Sequence, residues 1–323
     1  MIGAPWAWND VRGNWCGAVY IFHYDAGPQQ WVEDAKLLSS DGVSGDRFGY
    51  SVSLGDNIGV VGTYRDGKRG CVYVYTPQPA KTVLIWQSPS GSVTAWLINT
   101  NGAREDYFAL YTGTSSWEVK GVADMDRDGV PDLVWQNPQN GQVVIWYLRE
   151  DGTMRSYAYV YKGTTSWRVR GVGRFDGDSV PDLIWQYPSS GAVAVWYMNT
   201  NGTMKSSKLI YSGSTLWKVQ ACGDMDGDGI CDLVWQAPGG QVTAWLMNVD
   251  GTRKGYWSIS TKTSTWQVRG VSDIDGDGIG DLIWQYPSTG AVAAWYLNAN
   301  GSLRSTTYIY NGKTLWQVRC AAQ

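Results

Sequence analysis

An all-β ring of four-stranded antiparallel sheets, a β-propeller, is the fold this sequence predicts, and three observations predict it. A Trp-Gln-x-Pro string recurs at Trp86, Trp135, Trp185, Trp235 and Trp284, one copy every 49 or 50 residues. Fifteen of the 20 tryptophans fall on three positions of that repeat. Every copy also carries an Asn-Gly or Asp-Gly pair, at 101–102, 151–152, 201–202, 250–251 and 300–301. Both positions of a two-residue hairpin turn need φ > 0, so such pairs are the strongest short hairpin signal. Four short strands repeated every ~40–50 residues make a propeller blade.

Within one copy, residues 117–122, 133–136, 143–148 and 154–161 alternate apolar and polar side chains and are rich in β-branched and aromatic residues, so they read as strands one to four. The first 80 residues follow a related pattern. Residues 2–5, 17–22 and 31–38 read as strands two to four of one blade, and 48–53, 58–62 and 71–75 as three strands of the next. Second strands and third strands each number seven. The chain starts on a second strand and ends on a first strand, so the expectation is one domain over 1–323. It has seven blades, closed by the C-terminal strand completing the N-terminal blade. Residues 1–80 form one blade type and 81–323 five Trp-rich repeats. Residues 76–83 are too few for the two strands expected there, which keeps six blades as the alternative.

Composition narrows the function. Charged residues are 17%, the net charge is −3, and no apolar run approaches the ~18 residues of a membrane span. Neither nucleic acid nor membrane insertion is indicated. The N-terminus, Met-Ile-Gly-Ala-Pro, shows no signal peptide. The five cysteines form no CxxC pair, so zinc is not indicated. Cys222 and Cys231 flank one acidic loop and read either as a disulfide or as two buried thiols.

The chemistry concentrates between strands one and two. Asp124, Asp126, Asp128 and Asp132 occupy positions 1, 3, 5 and 9 of a loop with Gly129 at position 6. Asp224, Asp226, Asp228 and Asp232 repeat this around Gly229, and Asp273, Asp275, Asp277 and Asp281 around Gly278. Four carboxylates on nine residues repel one another unless a cation sits among them, and hard oxygen ligands at this spacing suit Ca²⁺. The backbone carbonyls of Val130, Ile230 and Ile279 at position 7 complete the expected set, giving about three sites. A fourth loop is degenerate. Arg174 replaces the first ligand and Ser179 the turn glycine, so Arg174 is expected to pair with Asp176, Asp178 or Asp182 in place of an ion. The turn at 54–58 is too short for such a loop.

At these residues the sequence resembles the FG-GAP and VCBS repeat families of integrin-α-like propellers. Residues 40–52, Ser-Asp-Gly-Val-Ser-Gly-Asp-Arg-Phe-Gly-Tyr-Ser-Val, and the Gly3-Ala-Pro5 triplet carry the FG-GAP likeness, while 82–320 resemble VCBS repeats with their calcium loop. In general style the Trp-rich repeats are similar to fungal lectins of the Psathyrella velutina type, without a residue-by-residue match to their sugar sites. The resemblance implies a calcium-stabilised, extracellular or cell-surface binding propeller.

A multivalent carbohydrate-binding protein is the first functional expectation, because aromatic faces suit sugar rings and weak repeated sites gain by avidity. Gln87, Gln136, Gln186, Gln236 and Gln285, with Tyr187 and Tyr286, are its candidate ligand groups; packing between blades is the competing role for the repeated tryptophans. A protein-binding or adhesion module is the alternative. A propeller-fold polysaccharide lyase ranks third: the single histidine, His23, has no nucleophile or partner in view, and the aspartates are committed to the loops, so an enzyme is not expected.

Overall fold

The computed structural model describes residues 1–8, 15–25, 30–39, 43–55, 58–64, 71–75 and 81–322. Among them there is no helix, and the strands form seven sheets, five of four strands and two of three. The sevenfold count and the all-β class follow the sequence reading. The chain divides into two compact units, Met1–Gln78 and Pro79–Gln323.

In the first unit, Ile2–Ala4, Ala18–Asp25 and Gln30–Leu37 form one antiparallel sheet; Ser51–Gly55, Ile58–Gly62 and Val72–Tyr75 form the other. Val19, Phe48 and Val61 are its fully buried core. Backbone passes so close to backbone at Gly3 that a Cβ there would lie 2.1 Å from the Gly49 carbonyl oxygen. Only glycine permits that approach. His23 lies on a strand, but its side chain and the junction at 76–80 fall outside the described residues.

In the second unit the five four-stranded sheets, here blades I to V, are set by the five Trp-Gln-x-Pro copies. Blade II comprises Glu118–Ala123, Asp132–Gln136, Val143–Leu148 and Met154–Tyr161, and blades III, IV and V start at Arg168, Lys218 and Gln267. Blade I consists of Thr82–Gln87, Val93–Ile98 and Arg104–Tyr111, with Gln317–Ala322 as its inner strand. Here the expected closure is corrected. The C-terminal strand does not pair with Ile2–Ala4; Val318 pairs with Trp86 and Gln317 with Gln87, in the register by which Val119 pairs with Trp135 and Glu118 with Gln136. The physical reason is side-chain matching, since this inner strand needs a second strand that ends in Trp-Gln. The inner strands of the five blades then touch one another in cyclic order, so these repeats close on themselves.

Three repeated devices hold the ring. The second strands of blades II to V, such as Asp132–Gln136, are buried at every residue. The apolar residue at loop position 2, which is Met125, Phe175, Met225 or Ile274, is fully buried and packs into the core shared with the next blade. Tyr111, Tyr161, Tyr211 and Tyr310, at the ends of fourth strands, set their rings edge-on against the next blade's tryptophans, as in Tyr111–Trp146 at 5.6 Å. Edge-to-face pairs of this kind are each worth about 0.5–1.5 kcal/mol beyond burial.

Candidate functional site

The repeated glutamines turn out to be latches. Gln136 is fully buried; its Nε2 donates to the carbonyls of Gly141 (3.2 Å) and Trp167 (3.1 Å), and its Oε1 accepts from the N–H of Val169 (3.1 Å). Trp167 and Val169 belong to blade III. Gln186 reaches Trp217 and Val219, Gln236 reaches Trp266 and Val268, Gln285 reaches Trp316 and Val318, and Gln87 reaches Trp117 and Val119. Five latches join five blades in a circle. With both ends of each amide used inside the protein, no glutamine is left to meet a ligand, so that expectation is replaced by a structural one. Tyr187 and Tyr286 likewise back onto Trp167 and Trp266, with ring centroids at 5.4 and 5.3 Å.

What opens to solvent is the aromatic surface between blades. In blade II, Trp117, Trp135 and Trp146 line a cavity of about 290 Å³ with Tyr111, Tyr157 and Tyr159. The equivalent tryptophans 167, 185 and 196 line one of about 330 Å³ in blade III, and 266, 284 and 295 line one of about 230 Å³ in blade V. Second-strand and third-strand tryptophans pair at 4.5–4.7 Å between centroids in all five blades. The second-strand member is buried, and its indole N–H has no partner, at Trp86, Trp135, Trp185, Trp235 and Trp284 alike. A buried donor without an acceptor costs roughly 1–3 kcal/mol. In blades I and IV a guanidinium covers the third-strand tryptophan, Arg104 over Trp96 at 4.6 Å and Arg253 over Trp245 at 4.8 Å. Blades II, III and V have Met154, Met204 and Leu303 at that strand position instead.

The acidic loops lie between first and second strands. Ligand oxygens of Asp124, Asp126 and Asp132 lie within 4.8 Å of one another, as do those of Asp224, Asp226 and Asp232, and of Asp273, Asp275 and Asp281. Position 9 anchors each loop: Asp132 is fully buried and accepts from the N–H groups of Met125 (3.0 Å) and Leu148 (2.9 Å). Burial, with repulsion from the neighbouring carboxylates, pushes Asp132, Asp232 and Asp281 up to about 7. At position 3, Oδ1 of Asp126, Asp226 and Asp275 is buried without any partner. An orphaned carboxylate oxygen beside two further carboxylates fits a hard cation, so each triad can hold a metal ion.

Position 5 stands apart from the triads. Asp128 spends Oδ1 on the N–H of Val130 (2.9 Å) and Oδ2 on Arg155 (2.5 Å). Arg155, Lys254 and Arg304, near the start of the fourth strands, each bridge positions 3 and 5. Sequence reasoning missed these cations, although each stands three residues after its hairpin glycine. The degenerate loop also departs from expectation. Lys205, not Arg174, bridges Asp176 (3.0 Å) and Asp178 (2.9 Å), and Arg174 is exposed. The cause is the fourth-strand cation, which bridges positions 3 and 5 in all four loops and so already pairs Asp176 and Asp178. The backbone differs as well: Gly129, Gly229 and Gly278 turn at φ of 87, 83 and 84°, whereas Ser179 is not among the residues with positive φ. A β-carbon there disfavours the sharp turn that folds position 1 over the triad. Cys222 and Cys231 lie against each other as free thiols, not as a disulfide, and the contact with Cys231 and burial push the Cys222 thiol well up.

Family comparison agrees with this architecture. An FG-GAP repeat model matches residues 31–75, and an FG-GAP-like repeat model matches 124–185, 174–235 and 224–284. The chain is an FG-GAP repeat protein. The three FG-GAP-like matches each start at the first residue of one acidic loop, take in the following loop and end at the second-strand tryptophan of the next blade, Trp185, Trp235 or Trp284. No curated protein sequence matches the chain. Solved structures similar to the FG-GAP repeat protein include a lectin of Agrocybe aegerita that recognises non-reducing terminal N-acetylglucosamine, at 15% identity, over 79% of this chain and 90% of that one, with a TM-score of 0.41. A nidogen/laminin complex matches at 11% identity over 75% and 97%, with a TM-score of 0.44. AofleA from Arthrobotrys oligospora matches at 9% identity over 82% and 86%, with a TM-score of 0.40.

Proposed function

We propose that this FG-GAP repeat protein is a non-catalytic, calcium-stabilised glycan-binding propeller that works outside the cell or at its surface. The observation that carries the reading is the recurrence of one aromatic cavity in blades II, III and V, each lined by three tryptophans at equivalent repeat positions. Tryptophan walls suit the apolar face of a sugar ring. Cavities of this size fall at the lower end of small-ligand sites, which run from roughly 300 Å³ upward, so a terminal monosaccharide is the favoured occupant rather than a buried chain. Three weak sites on one rigid ring reach useful strength on a surface bearing many glycans.

Calcium is the ion the loops select in this reading. The donors are all hard oxygens, and loops of this kind fill best where free calcium is plentiful, outside the cell. In the ring, Asp124, Asp126 and Asp132 and their counterparts would hold it, and its charge would relieve the mutual repulsion of the triad.

A protein partner is the second reading, favoured by exposed aromatics on the outermost strands. Tyr107, Tyr157, Tyr256 and Tyr308 are 57–65% exposed. Calorimetric titration with monosaccharides separates the two. The glycan reading predicts saturable binding near three equivalents, falling by one with each of Trp146→Ala, Trp196→Ala and Trp295→Ala and unchanged by Trp245→Ala. Silence across neutral and N-acetylated sugars, with every variant alike, would overturn it.

A further inference from the structure

The axis of the five-bladed ring carries a second feature that no glycan site explains. Each inner strand contains a β-bulge at the same place, between Val119 and Gly121 in blade II and at the four equivalent positions. A bulge inserts one extra residue and re-aims its side chain. Those extra residues are Lys120, Arg170, Gln220, Arg269 and Arg319, and all five line one narrow cavity together with residues from every inner strand. Four cations and one neutral amide thus share a single rung of the channel.

Their compensation is thin. Glu118 is the carboxylate at hand, paired with Lys120 Nζ at 2.6 Å and lying 3.9 Å from Arg319. Arg269 donates to the neutral Oε1 of Gln267 at 2.6 Å. The Nε–H groups of Arg170, Arg269 and Arg319 are buried with no acceptor. Burial lowers all three guanidinium groups, with repulsion from Arg168 adding to it at Arg170 and repulsion from Arg319 taking Arg269 to about 10. Buried charges are otherwise paired, and guanidinium forks match tetrahedral oxyanions in two-point contacts.

We infer that the axial channel is a binding site for one small multivalent oxyanion of the phosphate or sulfate class, held by Arg170, Arg269 and Arg319 with Lys120 and Gln220 completing the ring. The free space among the side chains is narrow, about 20 Å³ for the centre of a bound group, which excludes a nucleotide or a polymer. An ion there would join all five inner strands at once. This inference stands apart from the glycan reading, since it uses none of the aromatic cavities.

Thermal unfolding of the full chain tests it, with inorganic phosphate or sulfate against chloride at matched ionic strength and low millimolar anion. The expected result is a saturable rise in Tm, roughly 5 °C at a hundredfold excess over Kd. The rise should vanish in the double variant Arg269→Gln, Arg319→Gln, whose Tm in chloride should equal or exceed the parent's because repulsion is relieved. A sulfated monosaccharide in place of the free ion tells the two sources apart: a rise that the double variant abolishes assigns the site to a sulfate ester, and no rise, or one that the double variant keeps, assigns it to the free ion. Equal Tm in chloride and sulfate, or a rise undiminished in the double variant, would overturn the inference.

Discussion

Replacing a latch glutamine probes the ring where its geometry is most exactly repeated. Gln136→Leu keeps nearly the same volume but deletes three hydrogen bonds at 3.1–3.2 Å, two of them across the boundary to blade III. A hydrogen bond contributes about 1 kcal/mol net, so about 3 kcal/mol is lost directly. The Val169 N–H is left buried without an acceptor, which raises the cost to roughly 3–5 kcal/mol. Against a typical domain stability of about 5–15 kcal/mol this is a large fraction. It corresponds to a fall in Tm on the order of 10 °C for a unit of this size. Urea unfolding followed by near-UV circular dichroism reads it through the tryptophans, with the exposed Gln139→Leu as a control expected to change stability by less than about 0.5 kcal/mol. Gln186→Leu should cost the same, because its three contacts are the same. A loss below about 1 kcal/mol for both variants would refute the view that these amides hold neighbouring blades together.

Three further outcomes follow from the loops and thiols. Exhaustive chelation should lower Tm by about 10 °C or more, since an ion held a thousandfold above its Kd contributes about 4 kcal/mol per site, and plasma emission should find close to three calcium ions per chain in the calcium-loaded protein. The double substitution Arg174→Asp, Ser179→Gly should add a fourth ion, because it restores both the missing carboxylate and the left-handed turn; an unchanged metal count would show that the loop fails for another reason. Cys320 is buried and its thiol is pushed up to about 12 by burial, so it should resist a disulfide reagent at pH 8 until the ring is unfolded, while Cys71, half-buried, reacts sooner. Rapid labelling of Cys320 in the native protein would contradict the buried inner strand.

Much of this molecule was legible in its residues. Period, strand order, hairpin tips and the three intact acidic loops are local signals, and local signals survive translation into structure. Closure was not legible in the same way. Both Ile2–Ala4 and Thr82–Gln87 read as second strands lacking a first, and the choice between them is a long-range pairing. The deciding clue was present: Trp86-Gln87 is what Val318 and Gln317 need in the register every other blade uses. The glutamines misled because a polar residue repeated beside tryptophans suggests a ligand, whereas burial converts the same amide into a backbone partner. Arg174 misled because the cation that serves Asp176 and Asp178, Lys205, stands nearly 30 residues away on the fourth strand. The axial cations were invisible as a group, since only the bulges bring residues some 50 positions apart onto one rung.

Ring closure positions the aromatic cavities, the latches and the axial channel alike, and a single cross-link tests it. Cys320 faces Ile85 across the antiparallel pair formed by Gln317–Ala322 and Thr82–Gln87. Directly opposed residues lie about 4.5–5.5 Å apart between Cα atoms, within reach of a disulfide. Mild oxidation of folded Ile85→Cys should therefore yield one bridged peptide between Cys320 and the introduced thiol, seen by mass spectrometry of a non-reducing digest. A folded, oxidised protein that yields no such bridge, or one that bridges Cys320 to a cysteine placed at Ile2 instead, would contradict the five-bladed closure.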